Sequence, residues 1–321
     1  MARVSVIIPN YNGIKYIEDC LDSLLLSDTK VDIIVVDNAS TDGSYEIVRD
    51  KYPQVKLIRL KTNTGFAFAT NRGIVEAKTE YVFLLNNDTK VLPQTVSELE
   101  RTISYLSDAF SVQALMVRLS NPNIVDSAGD FYSATGWAMG YGKDKYVTDI
   151  DRGIFKIFSS CAGAAIYRRS AFNVTGRLDS KHFAYLEDVD LGYRAMLKGY
   201  RNYINTNAVV LHAGSGTSGS RYNDFKTKLS ARNNVYLIYK NMPVAQIVLN
   251  LPFLIAGFAI KTLFFYKKGM GDIYVKGLIS GIRMSTAENA KKKKVRFSLA
   301  HIKDYIFVQL MLWTDLFKYL G

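Results

Sequence analysis

Cysteine, histidine and proline are scarce in this chain, whose 321 residues hold two cysteines, three histidines and six prolines. Cys20 and Cys161 have no metal-ligand spacing and cannot build a disulfide framework. That excludes a disulfide-stapled scaffold and a zinc–thiolate module, and it fits a reducing compartment. Acidic residues are few where the chain is most basic. Residues 1–220 carry 24 Lys and Arg against 24 Asp and Glu, whereas 221–321 carry 17 against 5, so the formal charge of +12 arises in the last third. Val4 to Pro9 is too short for the apolar region of a signal sequence, and the protein is expected to stay on the cytoplasmic side.

A basic segment poor in acids can serve nucleic acid or anionic lipid, and its neighbours here favour lipid. Residues 241–260 contain no charge, and Lys261, Lys267 and Lys268 follow closely. The stretch is just long enough to span a bilayer. Gln246, Asn250 and Pro252 inside it, and Lys261 before Leu263-Phe264-Phe265-Tyr266, favour helices lying in the plane of the interface instead. Lys291 to Lys294 and Arg296 then precede an apolar run containing Tyr305 and Trp313, an arrangement suited to lipid headgroups. The competing reading is a solvated charge run followed by a helix packed on the core, and an apolar C-terminal helix would also serve a homodimer.

With 48% hydrophobic residues, the chain can bury one α/β domain of roughly 200 to 250 residues with an appendage. Short β-branched runs at Val4–Ile8, Val31–Val36, Val55–Leu60 and Tyr81–Leu85 alternate with helical patterns at Ile14–Leu26, Ser44–Lys51, Phe66–Ala77 and Gln94–Leu106. A βαβα order with fully apolar strands predicts buried parallel strands joined by right-handed crossovers in one open sheet. Residues 107–160, punctuated by Gly129, Gly136, Gly140, Gly142 and Gly153, are expected to form hairpins or mobile loops.

Ligands of such sheets collect at the carboxyl ends of the strands, and polar residues stand there. Pro9-Asn10-Tyr11-Asn12-Gly13 follows the first strand, Asp37-Asn38 the second, Asn63-Thr64-Gly65-Phe66 the third and Asn86-Asn87-Asp88 the fourth. At the end of its strand, Asp37 would accept the N3 hydrogen of a uracil or thymine, or equally cap a turn. Asn63 to Gly73, with Asn71, opens a helix whose free amides suit phosphate or ribose oxygens. Asp88 is a hard-oxygen ligand for Mg²⁺ or Mn²⁺, and His212 offers an imidazole to the same ion. Glu187-Asp188-Val189-Asp190 opens another helix. Asp188 is the candidate general base, Glu187 would orient it or hold an acceptor, and Asp190 is expected to pair with Arg194 four residues on. Gly214 to Ser220 is expected to close over a diphosphate.

The motifs Val6-Ile7-Ile8-Pro9-Asn10-Tyr11-Asn12, Val36-Asp37-Asn38-Ala39-Ser40-Thr41-Asp42-Gly43, Asn63-Thr64-Gly65-Phe66-Ala67, Asn86-Asn87-Asp88 and Glu187-Asp188-Val189-Asp190 together resemble glycosyltransferase family 2, over roughly residues 3–240. The likeness is greatest to bacterial rhamnosyltransferase-like members that build cell-surface polysaccharide. It implies a GT-A, Rossmann-like fold with a mixed, mainly parallel sheet flanked by helices, and an inverting transfer. By the same resemblance Asp37 contacts the base, Asp88 takes the metal position of an Asp-X-Asp motif, His212 joins it and Asp188 is the base. The motif lacks its first carboxylate here, so the cation would depend largely on the donor diphosphate. The donor-binding positions expected at this crevice are Pro9, Asn10, Tyr11, Asp37, Asn38, Asn63, Gly65, Phe66, Asn71, Asn87 and Asp88.

The expected organisation is a catalytic domain over 1–240 and a basic, apolar helical extension over 241–321 that sits at the membrane interface. Arg232 to Tyr236 resembles the segment that leads into such an extension. The expected partners are a dTDP- or UDP-sugar donor, a lipid-linked glycan acceptor and an anionic membrane surface, with no nucleic acid. L-rhamnose from dTDP-L-rhamnose is the first donor expected, and a UDP-hexose the second. A nucleotidyltransferase would show a Gly-rich phosphate loop after the first strand, where Asn10-Tyr11-Asn12-Gly13 stands. A non-catalytic basic adaptor would have had no need to retain Asp37, Asp88, Asp188 and His212.

Overall fold

A computed structural model describes residues 2–214 and 222–318. The first half alternates strands and helices: β1 (Val4–Asn10), α1 (Ile17–Leu25), β2 (Val31–Asp37), α2 (Ser44–Lys51), β3 (Lys56–Arg59), α3 (Phe66–Glu76), β4 (Tyr81–Leu85), β5 (Thr89–Val91) and α4 (Thr95–Tyr105). Next come β6 (Ala109–Arg118), β7 (Asn121–Ser127), β8 (Asp130–Tyr132), β9 (Ala138–Gly140), β10 (Ile154–Ile157) and β11 (Ala164–Arg168). A short helix α5 (Phe172–Thr175) leads to α6 (Glu187–Met196) and the long strand β12 (Arg201–His212). Five helices follow: α7 (Asp224–Asn241), α8 (Val244–Lys267), α9 (Gly271–Thr286), α10 (Glu288–Lys293) and α11 (Ile302–Phe317).

The main sheet runs β10-β12-β6-β11-β4-β1-β2-β3, with β5 also on β12 and β7 on β6. Strands β3, β2, β1 and β4 are parallel, β11 is antiparallel to both β4 and β6, and β12 is parallel to β6. Alternation along each strand sends side chains to opposite faces. Val4, Val6 and Ile8 of β1, with Ile33 and Val35 of β2, pack against Ile17 and Leu21 of α1 and Leu99 of α4. Ile7, Ile34 and Val36 face Ala67 and Ile74 of α3 and Leu191 of α6 on the other side. Both faces are therefore covered, which is why the β1 and β2 runs read as continuous Val and Ile.

Residues 107–160 differ from the sequence-based expectation. Instead of only hairpins and loops they supply β6, an interior strand with nine buried residues in a row. Its apolar pattern is broken by Ser111 and Gln113, whose burial is satisfied from other segments. The Ser111 hydroxyl lies 2.8 Å from Asn202 Oδ1, and Gln113 Oε1 accepts the Cys161 amide at 2.7 Å.

Of the helices after residue 222, α7, α8 and α11 share a core with α6. Tyr193 and Met196 of α6 pack with Leu237 of α7, Leu254 of α8 and Tyr305, Val308 and Leu312 of α11. Gln246 and Asn250 of α8 are buried because they are partnered. Tyr193 donates its hydroxyl to Gln246 Oε1 at 2.8 Å, and Asn250 exchanges amide hydrogen bonds with Gln309 at 2.9 and 2.8 Å. The opposite face of α8, with Val248, Ile255 and Leu263 each more than 60% exposed, is uncovered. Among the described residues, α8 is the one helix long and apolar enough to cross a membrane.

Candidate active site

The carboxyl ends of β1, β2 and β4, the start of α3 and the start of α6 enclose a crevice of about 1410 Å³. Pro9, Asn10, Tyr11, Asn38, Asn63, Gly65 and Phe66 line one part, and Asn87, Asp88, Glu187, Asp188 and His212 another. Asn10 and Asn87 are locked together, Asn87 Nδ2 donating to Asn10 Oδ1 at 2.7 Å. Asn38 Oδ1 accepts the Thr64 amide at 2.8 Å, and Asn63 Oδ1 accepts that of Gly65 at 3.0 Å. Gly65 has φ of +83°, and a Cβ there would lie 2.6 Å from Phe183, so only glycine lets α3 open at this wall.

Two expected donor-binding residues stand outside the lining. Asp37 is fully buried, with Oδ1 accepting from Asn10 Nδ2 at 3.1 Å and Oδ2 from the Ser40 amide at 3.1 Å. Its carboxylate ties Asn10, at the end of β1, to the turn after β2 that carries Asn38. Asn71, on the first turns of α3, donates to the Leu178 carbonyl at 2.7 Å and fastens that segment to the helix.

Asp88 and His212 are brought together by a strand pairing. The β5–β12 ladder sets Thr89 opposite His212, and the Ala213 amide donates to the Asp88 carbonyl at 2.9 Å. His212 Nε2 then lies 3.2 Å from Asp88 Oδ1, while Nδ1 lies 2.7 Å from Asp126 Oδ2. Burial alone would lower the imidazole, but Asp126 and Asp88 overcome it and push it up to about 9. Burial likewise works against an ionised Asp126, which His212 and Lys143 nevertheless hold down to about 2. This donor set fits a divalent cation. A hard carboxylate and an imidazole face each other, and the other ring nitrogen is oriented by a carboxylate behind it.

Asp188 lies at the start of α6. Its Oδ1 accepts the Val189 amide at 2.8 Å and its Oδ2 that of Ala162 at 3.4 Å. Burial raises its pKa, and these amides work against that rise. Glu187 is raised well above the usual carboxylate range by burial and then by Asp188. Asp190 turns away from the crevice, accepting from Arg194 Nη2 at 2.8 Å, as the i,i+4 spacing predicts, and from Lys240 Nζ at 2.9 Å.

Several site residues were not foreseen. Asp126 and Asp130 enter the crevice from β7 and β8, and one oxygen of Asp130, Sγ of Cys161 and one oxygen of Asp188 lie within 4.8 Å of one another. The available signal was a pair of aspartates four apart just before and after Gly129. Phe183, Tyr185 and Leu186, directly before Glu187, have φ of +64°, +71° and +66°. Such left-handed backbone is costly for these residues. Asn233 of α7 holds it, Nδ2 reaching the carbonyls of His182, Ala184 and Tyr185 at 2.9, 2.8 and 2.8 Å. Of the loop Gly214–Ser220, all but Gly214 lies outside the described residues.

A mixed sheet of this order, with an acid and a histidine at one strand pair and an aspartate opening a helix beside them, suits a glycosyltransferase. The sequence model described as "Glycosyl transferase family 2" matches residues 5–176, and the chain belongs to that family. A curated relative, the N-acetylglucosaminyl-diphospho-decaprenol L-rhamnosyltransferase of Mycobacterium tuberculosis H37Rv, is 27% identical over 241 residues, covering 67% of this chain and 77% of the relative. The crystal structure of S. aureus TarS 1–349 with UDP-GlcNAc superposes with a TM-score of 0.60 and 18% identity, covering 97% of this chain and 91% of that one. The mannosyltransferase PcManGT of Pyrobaculum calidifontis, solved with GDP-Man and Mn²⁺, gives a TM-score of 0.53 and 17% identity, covering 96% and 87%. The fold these proteins share with the chain is GT-A.

Proposed function

We propose that the protein is an inverting, metal-dependent glycosyltransferase that moves a sugar from a nucleoside diphosphate donor to a hydroxyl of a lipid-linked glycan, in cell-surface polysaccharide synthesis. The observation that carries this reading is the single crevice shared by Asp188, its carboxylate held by two amides, and the Asp88–His212 pair. The acceptor oxygen bonds to the anomeric carbon as the bond from that carbon to the diphosphate oxygen breaks. The electron pair leaves on the diphosphate, and Asp188 takes the acceptor proton. Asp88 and His212 would hold Mn²⁺ or Mg²⁺, which when bound supplies positive charge to the departing diphosphate. Asn10, Asn38, Asn63 and the amides opening α3 bind the nucleoside part, and Asp37 supports them from beneath.

Our first donor is dTDP-L-rhamnose, supported by the rhamnosyltransferase relative. The second is a UDP-hexose such as UDP-galactose, UDP-glucose or a UDP-N-acetylhexosamine, supported by the TarS complex. The catalytic domain spans 1–240, and the extension 241–321 lies on the cytoplasmic face of the membrane as a peripheral anchor. The exposed apolar face of α8, with Lys267 and Lys268 at its end, suits an interface with anionic headgroups.

A thermal-shift panel of dTDP-, UDP- and GDP-sugars with and without Mn²⁺ or Mg²⁺ tests the reading, because a ligand of the folded state raises its stability. A metal-dependent shift with dTDP-L-rhamnose is expected. A larger shift with a UDP-sugar would replace rhamnose with a hexose, and no shift with any nucleotide sugar would overturn the proposal.

A further inference from the structure

The buried residues of α8 are Gln246, Asn250, Leu254 and Gly257. Steps of four, four and three place them in one stripe along the helix, and Lys261, four residues on, continues it. Val248, Ile255 and Leu263 stand exposed on the opposite side. Lys261 is thus turned towards the protein and away from the face proposed to meet the membrane.

It faces the tip of the hairpin between β8 and β9. Trp137 Nε1 donates to the Gly257 carbonyl at 3.0 Å, and Lys261 Nζ lies 5.4 Å from the centre of the Trp137 ring. Helix and hairpin touch closely, since a Cβ at Gly257 would collide with the Thr135 carbonyl. From α7, Asn234 Nδ2 donates to the Gly136 carbonyl at 2.8 Å, and Asn234 Oδ1 accepts the Tyr132 hydroxyl at 2.9 Å. The ring beside Lys261 therefore belongs to a clamped element.

Gln246 and Asn250, on the same stripe, have amide partners, and the more deeply buried Lys240 holds Asp179 and Asp190 at 2.9 Å each. Lys261 has neither a hydrogen-bond nor an ion-pair partner among the described residues. Burial pushes its ammonium down to about 8, with no acid to offset the loss of water. A cation held against one ring recovers only part of that cost, and an anion would supply the rest. The hairpin also leads to the crevice. Ala138, Met139 and Gly140 of β9 line it, and Gly140 pairs with Asp130, whose carboxyl is within 4.8 Å of Asp188. Ala138 is about 7 Å along the strand from Gly140, and Trp137 comes next.

We propose that Lys261, with Trp137 beside it, is the subsite for the phosphate of a lipid-linked acceptor. The phosphate ester rests on the ammonium, the sugar extends along β9 towards Asp188, and the hydrocarbon passes to the exposed apolar face of α8. The inference rests on the lipid-linked acceptor of the proposed function.

The test is calorimetry on the full chain in neutral detergent, with farnesyl phosphate as the probe and farnesol and inorganic phosphate as controls. Wild type is expected to bind farnesyl phosphate more tightly than either control. Lys261→Met should weaken that binding by on the order of ten- to a hundred-fold, and Lys261→Arg should keep most of it. The melting temperature of Lys261→Met should be unchanged or higher, because an unpaired charge has been removed from a partly buried place. Equal binding of farnesyl phosphate by wild type and folded Lys261→Met overturns the proposal. So does a parallel loss, in Lys261→Met, of pelleting with phosphatidylglycerol vesicles, which would make the lysine a general headgroup contact. If Lys261→Met does not fold, Lys261→Gln carries the same comparison. Lys261-dependent binding of farnesyl phosphate without any donor-induced thermal shift would overturn the transferase reading and uphold the subsite. A donor shift without Lys261-dependent binding would do the reverse.

Discussion

The Asn233 carboxamide on α7 hydrogen-bonds to the Tyr185 carbonyl at 2.8 Å, joining a helix outside the sheet to the strained turn that presents Asp188. Arg232 beside it donates to the His182 carbonyl at 2.8 Å. Without the amide the left-handed backbone at Phe183, Tyr185 and Leu186 would relax. Asn233→Leu should lower kcat by on the order of ten- to a hundred-fold through misplacement of the base, with donor binding nearly unchanged. Steady-state kinetics beside donor thermal shifts checks this, and an equal loss of both would place Asn233 in general folding.

Asp188→Asn should reduce turnover by roughly two to four orders of magnitude while preserving donor binding, because the lost interaction is made in the transition state. Product formation and donor-induced thermal shift are the measurements. Unchanged turnover would remove Asp188 from the mechanism.

Asp88→Asn and His212→Ala should each abolish the cation-dependent part of the donor shift. Asp126→Asn, which removes the carboxylate facing His212 Nδ1 and Lys143, should weaken cation affinity by roughly 10- to 100-fold. Titration calorimetry with Mn²⁺ in the presence of nucleotide checks the order of the three.

His182 supplies a pH dependence away from the crevice. Its ring is fully buried, with both nitrogens unpartnered among the described residues, and burial lowers its pKa to about 4. The folded state therefore binds fewer protons than the unfolded chain between pH 6.5 and about 4. Stability present above 6.5 is lost as pH falls through this window, by on the order of 3 kcal/mol. Melting temperature against pH should show that slope in the wild type and a flatter one in His182→Phe.

The extension is best tested without deleting it, because removal would bare the core that α6 shares with α8 and α11. Val248→Glu, Ile255→Glu and Leu263→Glu together change only exposed positions of α8. The triple variant should keep its melting temperature and no longer pellet with anionic liposomes. Pelleting that persists would put the lipid contact elsewhere.

Local pattern was enough to define part of this molecule. In β1, β2 and β4 both faces are buried, so an unbroken apolar run marks the strand, and a polar residue right after it marks the crevice edge. The helices between them show the period of a half-buried surface, and Asp190 with Arg194 follows from spacing within one helix. Other features depended on distant segments. β6 was illegible because Ser111 and Gln113 look like surface residues until Asn202 and Cys161 satisfy them. Asp88 meets His212 only through the β5–β12 register, over more than a hundred residues. Burial of Asp37 beneath the crevice, the convergence of Asp130, Cys161 and Asp188, and the clamp by Asn233 are likewise set by packing between elements. Periodicity records which face of an element is dry. Which side chains meet, and whether a carboxyl faces a cation, an amide or another carboxyl, is decided when the elements assemble.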